Sequence, residues 1–175
     1  MIGLGCWQLG GDWGEVGDDT AHAVLEAAVA SGVTFLDTAD VYGDGRSERT
    51  IGAFLASRPD LAGSVTVATK MGRRADPHVA EAYTYDAFCR WTDRSRVHLR
   101  TDTLDLVQLH CPPSAVLRSD DVYDALDRVV EVAPVHAQVA TAPHVTGQAD
   151  AVVPVHPAAD AAPSAPRRRG LRRRR

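Results

Sequence analysis

Val65-Thr66-Val67-Ala68-Thr69-Lys70 is an apolar, β-branched run that ends in an ammonium, and Lys70 is the only lysine of the chain against eighteen arginines. Residues of this kind favour an extended strand, so a strand over Val65 to Thr69 delivers Lys70 to whatever lies at its carboxyl end. Two further runs behave alike. Phe35-Leu36-Asp37-Thr38-Ala39-Asp40-Val41-Tyr42-Gly43 leads from apolar residues into Asp37, and Leu104-Asp105-Leu106-Val107-Gln108-Leu109-His110 ends on a histidine. Ionisable groups repeated at the carboxyl ends of successive strands mark the ligand-binding end of a parallel sheet.

The intervening segments have helical periodicity. A first short strand, Ile2 to Cys6, precedes a helix from about Thr20 to Ser31, with Asp18 or Asp19 as cap, Ala21, Val24, Leu25, Ala28 and Val29 inward, and Gly32 as stop signal. Strand two is predicted over Val33 to Asp37. The next helix starts near Ser47, whose hydroxyl is the expected cap, carries Ile51, Phe54 and Leu55 inward, and ends at Arg58-Pro59. After strand three comes a helix from about Tyr85 to Leu99. Strand four covers Leu104 to Leu109, and Asp120 or Asp121 opens a last helix through Val122, Leu126, Val129 and Val130. Alternation of this kind implies an α/β fold with a parallel sheet and crossover helices.

The 175 residues suit one domain, yet the chain changes character near Glu131. Residues 1–130 hold 12 basic and 20 acidic side chains; residues 131–175 hold 7 and 3, so a net charge of −4 conceals an acidic body and a basic end. From Val132 the residues are mostly Ala, Val, Pro, His and Arg, with six prolines before Arg167. That composition predicts disorder. The arginine bias suggests a G+C-rich gene, which read out of frame yields Ala, Pro and Arg. The expectation is a frame change near codon 131, giving a folded unit over 1–131 and a low-complexity Ala/Pro/Arg-rich tail over 132–175.

Three cysteines without CxxC spacing argue against a disulfide framework. The start lacks the basic region and long apolar core of a signal peptide, and no apolar run reaches the roughly 18 residues of a membrane span. A cytoplasmic location and no membrane partner are expected.

Asp37, Tyr42, Lys70 and His110 together describe a chemical device. A phenol has a reference pKa of about 10 and gives up its proton near neutrality only beside a cation that stabilises the phenolate. Lys70 is placed to be that cation, Asp37 to balance it, and His110 to donate a hydrogen bond to a substrate oxygen. Such a group suits protonation of a carbonyl oxygen while hydride arrives at carbon. Taken singly, each residue has a plainer reading as a turn former, a packed ring, a solvated cation or a strand end; four at matching ends of successive strands do not.

Other motifs carry less. Gly3-Leu-Gly5-Cys-Trp-Gln8 has Gln8 where GxGxxG needs its third glycine, and Gly43-Asp-Gly45-Arg-Ser-Glu has no GK[ST]. Cys6, His110 and Cys111 lack the paired spacing of a zinc site, and no metal is expected. The terminal arginine run lacks interleaved aromatics, so no nucleic-acid partner is expected.

The motifs Asp37-Thr-Ala-Asp-Val-Tyr42-Gly43, Gly45-Arg-Ser-Glu48-Arg-Thr-Ile51-Gly52, Thr69-Lys70 and Asp105-Leu-Val-Gln-Leu-His110 resemble the aldo/keto reductase family, over about Gly3 to Val130 and in the family's order. Their form is more like the bacterial branch related to potassium-channel β-subunits than the mammalian aldose-reductase branch. The resemblance implies a partial (β/α)8 TIM barrel of about four β/α units, NADPH (or NADH) as cofactor, and a small-molecule carbonyl, aldehyde or ketone, as substrate. It implies Tyr42 as general acid, Lys70 and Asp37 as the pair that lowers its pKa, and His110 as the residue that orients the carbonyl. Cys6 and Trp7 would border the nicotinamide or the substrate, and Asp37 would join them in binding the cofactor. Strands five to eight of the family carry its amide-binding Ser-Asn pair, nicotinamide-stacking aromatic and phosphate-gripping loop. The family also opens with a short hairpin and often has Trp where Cys111 stands. The expected alternatives are a catalytically inactive half-barrel that works through partners or self-association at its open sheet edges, and a basic-tailed module that binds nucleic acid or membrane.

Overall fold

The computed structural model describes residues 2–11 and 14–132, in the order β1 (Leu4–Gly5), α1 (Asp18–Ala30), β2 (Phe35–Asp37), α2 (Arg46–Ser57), β3 (Thr66–Met71), α3 (Tyr85–Leu99), β4 (Leu106–Leu109) and α4 (Asp120–Val132). The strands form one parallel sheet in the order β1-β2-β3-β4. This is the expected set of four β/α units. Beyond Val132, the tail expected over 132–175 lies outside the described residues.

Register explains which side chains share a face. Gly5 is opposite Asp37, Asp37 opposite Ala68, and Lys70 opposite Gln108. Side chains alternate along a strand, so Asp37, Lys70 and, two residues past Gln108, His110 fall on one face. Leu36, Val67, Met71, Val107 and Leu109 fall on the other, where all are buried. The sheet thus separates an apolar, helix-packed layer from a face that carries charge at its carboxyl end.

Packing against the sheet is closest between α2 and α3. A Cβ on Gly52 would lie 2.4 Å from the His98 carbonyl oxygen, so only glycine lets the two backbones approach this far. Phe54, Ile51, Phe88 and Leu99 fill the space beneath. Helix α3 occupies the predicted Tyr85–Leu99, with Thr84 as N-cap accepting from the Ala87 N–H at 3.3 Å.

Other expectations are corrected. Gly17, not Asp18 or Asp19, holds the N-cap of α1; the two carboxylates lie in its first turn, where the positive end of the helix favours them. Val24, expected inward, is 41% exposed, because Ala21 and Leu25 alone face the core squarely. Ser47 is no cap: Gly45, in the left-handed region at φ 80°, holds that position, and Ser47 is buried inside the helix. Strand β3 continues through Met71, so Lys70 is a member of the strand rather than the residue after it. Burial of both faces of β3 keeps it extended that far.

Candidate active site

The carboxyl ends of β1 to β4 meet at one place. From β3, the Lys70 ammonium, 2% exposed, ion-pairs with Asp37 Oδ1 of β2 and donates to the Thr38 carbonyl oxygen at 3.1 Å. Asp37 remains 38% exposed and faces outward from the buried lysine. A buried ammonium requires such a counter-charge.

Tyr42 comes from the loop between β2 and α2. Its ring centroid is 5.4 Å from Lys70 Nζ and 5.8 Å from the His110 ring, which meets it edge-on at 86°. On the other side the indole of Trp7 stacks on it at 5.9 Å and 24°. Trp7, 44% exposed, belongs to a 3₁₀ turn over Trp7–Gly10 directly after β1. The two loops touch through glycine: a Cβ on Gly43, at φ 56°, would lie 2.0 Å from the Gly10 carbonyl oxygen. His110 is 6% exposed, and its backbone N–H donates to Met71 O at 2.8 Å, which prolongs the β3–β4 pairing to the histidine itself.

Asp37, Tyr42, Lys70, His110 and Trp7 are therefore neighbours. Cys6 lies beside them but is 1% exposed, with its thiol directed to Leu4 O at 3.5 Å. Burial, with the nearby Asp37 charge, pushes that thiol's pKa up to about 12, so it is a neutral packing group. Cys111, at φ 46°, is half-buried. Among the described residues no group of three or more His, Cys, Asp or Glu is placed to hold a metal ion, and no helix is long and apolar enough to cross a membrane.

The profile of the Aldo/keto reductase family matches residues 1–132. The chain belongs to the aldo/keto reductase family. It is 34% identical over 116 residues to the uncharacterized oxidoreductase YqkF of Bacillus subtilis, an alignment covering 62% of this chain and 34% of that protein. It is 42% identical over 77 residues to D-threo-aldose 1-dehydrogenase of a Pseudomonas species, covering 44% and 23%. Among solved structures, an aldo-keto reductase from Klebsiella pneumoniae in complex with NADPH superposes with a TM-score of 0.63 at 25% identity, covering 81% of this chain and 45% of that one. The glycerol dehydrogenase of Gluconobacter oxydans does so with 0.63 at 28%, covering 79% and 43%. The chain thus spans about a quarter to just under half the length of the relatives named here, and its four-stranded sheet is that part of the family's barrel.

Beneath the site residues lies a layer of polar groups that no sequence motif marks as buried. Ser47 Oγ donates to the Cys6 carbonyl oxygen and accepts from Thr38 Oγ1, both at 2.8 Å, so one buried hydroxyl ties the residues just after β1 and β2 to α2. Glu48, fully buried, accepts from Thr69 Oγ1 at 2.6 Å and from His98 Nδ1 at 3.0 Å. Arg49 Nη1 lies 3.3 Å from His98 Nε2 and can only donate, which assigns the ring proton to Nδ1. Asp40 is 1% exposed. The available signal was a charged residue on the inward face of the α2 periodicity, Glu48 standing three residues before Ile51.

Proposed function

We propose that these strand ends carry the proton-donating part of a nicotinamide-dependent carbonyl reductase, with NADPH, or alternatively NADH, as cofactor and an aldehyde or ketone as substrate. The observation that carries the reading is the Tyr42 ring, set between the buried Lys70 ammonium and the edge of His110.

Tyr42 gives its proton to the carbonyl oxygen. Lys70 stabilises the negative charge that develops on the phenol oxygen, and Asp37 holds the ammonium at the strand end through its ion pair. His110 donates to the substrate oxygen and fixes its distance from Tyr42. The residues present fit the ring end of a nicotinamide: the half-exposed Trp7 indole offers a flat apolar shelf, and the Asp37 carboxylate beside it an acceptor. Cys6 supports that shelf from below. The cofactor, when bound, supplies hydride to the carbonyl carbon.

Oxidation of NADPH with 4-nitrobenzaldehyde, compared between the chain and Tyr42→Phe, tests the reading. A fall of roughly 10²- to 10⁴-fold in the variant is expected from loss of a general acid, and equal rates overturn it. Replacing NADPH by NADH in the same assay decides cofactor preference.

A further inference from the structure

Asp40 lies two residues ahead of Tyr42 in the loop between β2 and α2, and neither of its carboxyl oxygens has a hydrogen-bond partner among the described residues. Its backbone is held, the N–H donating to Lys70 O at 3.1 Å. A buried carboxyl that accepts no hydrogen bond is a poor place for a charge and a good one for a proton.

Every neighbouring element presents a charged or titratable group. From α2 comes Glu48, whose carboxylate accepts hydrogen bonds from Thr69 and His98, while the Asp40 carboxyl accepts none. From the loop after β3 comes Arg74, its Nε 3.7 Å from Asp40 Oδ2. From α3 comes Arg94, and from the segment before α3 comes Tyr83, whose phenol feels the Asp40 charge. Burial, then Glu48, push the Asp40 pKa up to about 7, against the pull of Arg74, Arg94 and the Val41 N–H, whose approach falls short of hydrogen-bond geometry.

Arg74 is the cation within reach of that carboxyl. Its Nε and Nη2 both donate to the Asp40 carbonyl oxygen at 3.3 Å, and Nη2 also pairs with Asp44, so one guanidinium spans the Tyr42 loop from residue 40 to residue 44. Asp44 has a second partner in Arg94, 2.6 Å away. A shift of roughly 1 Å brings Arg74 to charge-assisted hydrogen-bonding distance from the Asp40 carboxylate.

We propose that Asp40 is a proton-dependent positioning residue for the Tyr42 loop: protonated, it leaves Arg74 on the Asp40 carbonyl and on Asp44; ionised, it takes Arg74 to its own carboxylate and leaves Asp44 to Arg94. The proton released goes to solvent. The inference rests on the reductase reading only for what it does to Tyr42, since the exchange of partners requires neither substrate nor cofactor.

The test is an NMR titration of the full chain, labelled in aspartate carboxyl carbons and arginine nitrogens, from about pH 5 to about pH 9. One carboxyl carbon, missing in Asp40→Asn, is expected to titrate with a midpoint near 7. The Arg74 Nε signal, identified by its loss in Arg74→Gln, is expected to move with that midpoint and to stay flat in Asp40→Asn. Glu48→Gln lowers the midpoint and Arg74→Gln raises it; the latter alters a partly exposed side chain and keeps the test open if Asp40→Asn does not fold. Titration of Asp40 in the ordinary carboxylate range, or an Arg74 signal flat through the midpoint, overturns the inference. NADPH oxidation is read separately: partner exchange without turnover rejects the reductase reading alone, and turnover without exchange rejects the switch alone.

Discussion

Replacing Asp40 by Asn should make the chain's stability less sensitive to pH, by an amount that the burial of Asp40 sets. In the unfolded chain this carboxyl ionises near pH 4; in the folded one its pKa is pushed up to about 7 by burial and by Glu48. Between those values the native state holds a proton that the unfolded state has released. Stability therefore falls as pH rises through this window, and the loss is complete and constant above about pH 8. Roughly three pH units at about 1.4 kcal/mol each is about 4 kcal/mol in all, of which about 3 kcal/mol falls between pH 5 and pH 8.5. Asn has nearly the same volume and no charge, so it removes this part. It adds a pH-independent cost of about 1–3 kcal/mol for a buried amide. Urea unfolding followed by tryptophan fluorescence, at about pH 5 and about pH 8.5, should show the variant gaining about 3 kcal/mol relative to the unsubstituted chain at the higher pH. Titrating groups not coupled to Asp40 cancel in that comparison. An equal difference at both pH values refutes the assignment of a raised pKa to Asp40.

Gly52→Ala should cost about 1–3 kcal/mol, because its Cβ would lie 2.4 Å from the His98 carbonyl oxygen and force α2 from α3; an unchanged thermal midpoint counts against the close packing. Among the described residues β1 and β4 each pair on one side only, and exposed parallel edges are templates for further pairing. Self-association through them predicts a sedimentation coefficient that rises with concentration, and a constant monomer value refutes it.

Much of the site was readable locally. Apolar, β-branched runs placed β2, β3 and β4, and strand alternation alone puts Asp37, Lys70 and His110 on a common face once the register is known. Helix α3 was bounded by its own pattern, from Tyr85 to Leu99; its Thr84 cap came only with the structure. Ser47 misled for a physical reason. A serine at a helix start normally bonds to the helix's own N–H groups, but here its hydroxyl is claimed by the Cys6 carbonyl, forty-one positions away in the chain. Asp40 reads as an ordinary polar residue because nothing within a few positions reports that it is enclosed, whereas Glu48 betrays itself only by sharing the inward face of α2 with Ile51.

The sequence by itself determined the order of the strand-helix units, the motifs of the family, and which ionisable residues stand at strand ends. Those depend on the chain's neighbours along the backbone: side-chain branching, apolar spacing, and the glycines that permit tight loops. Only the tertiary structure decided that Arg74 spans the Tyr42 loop, that Ser47 joins three elements, and that the Asp40 carboxyl lies buried near Glu48 without a hydrogen bond. Burial and through-space charge arise from residues tens of positions apart, and it is those two effects that turn an ordinary aspartate into a group titrating near neutrality.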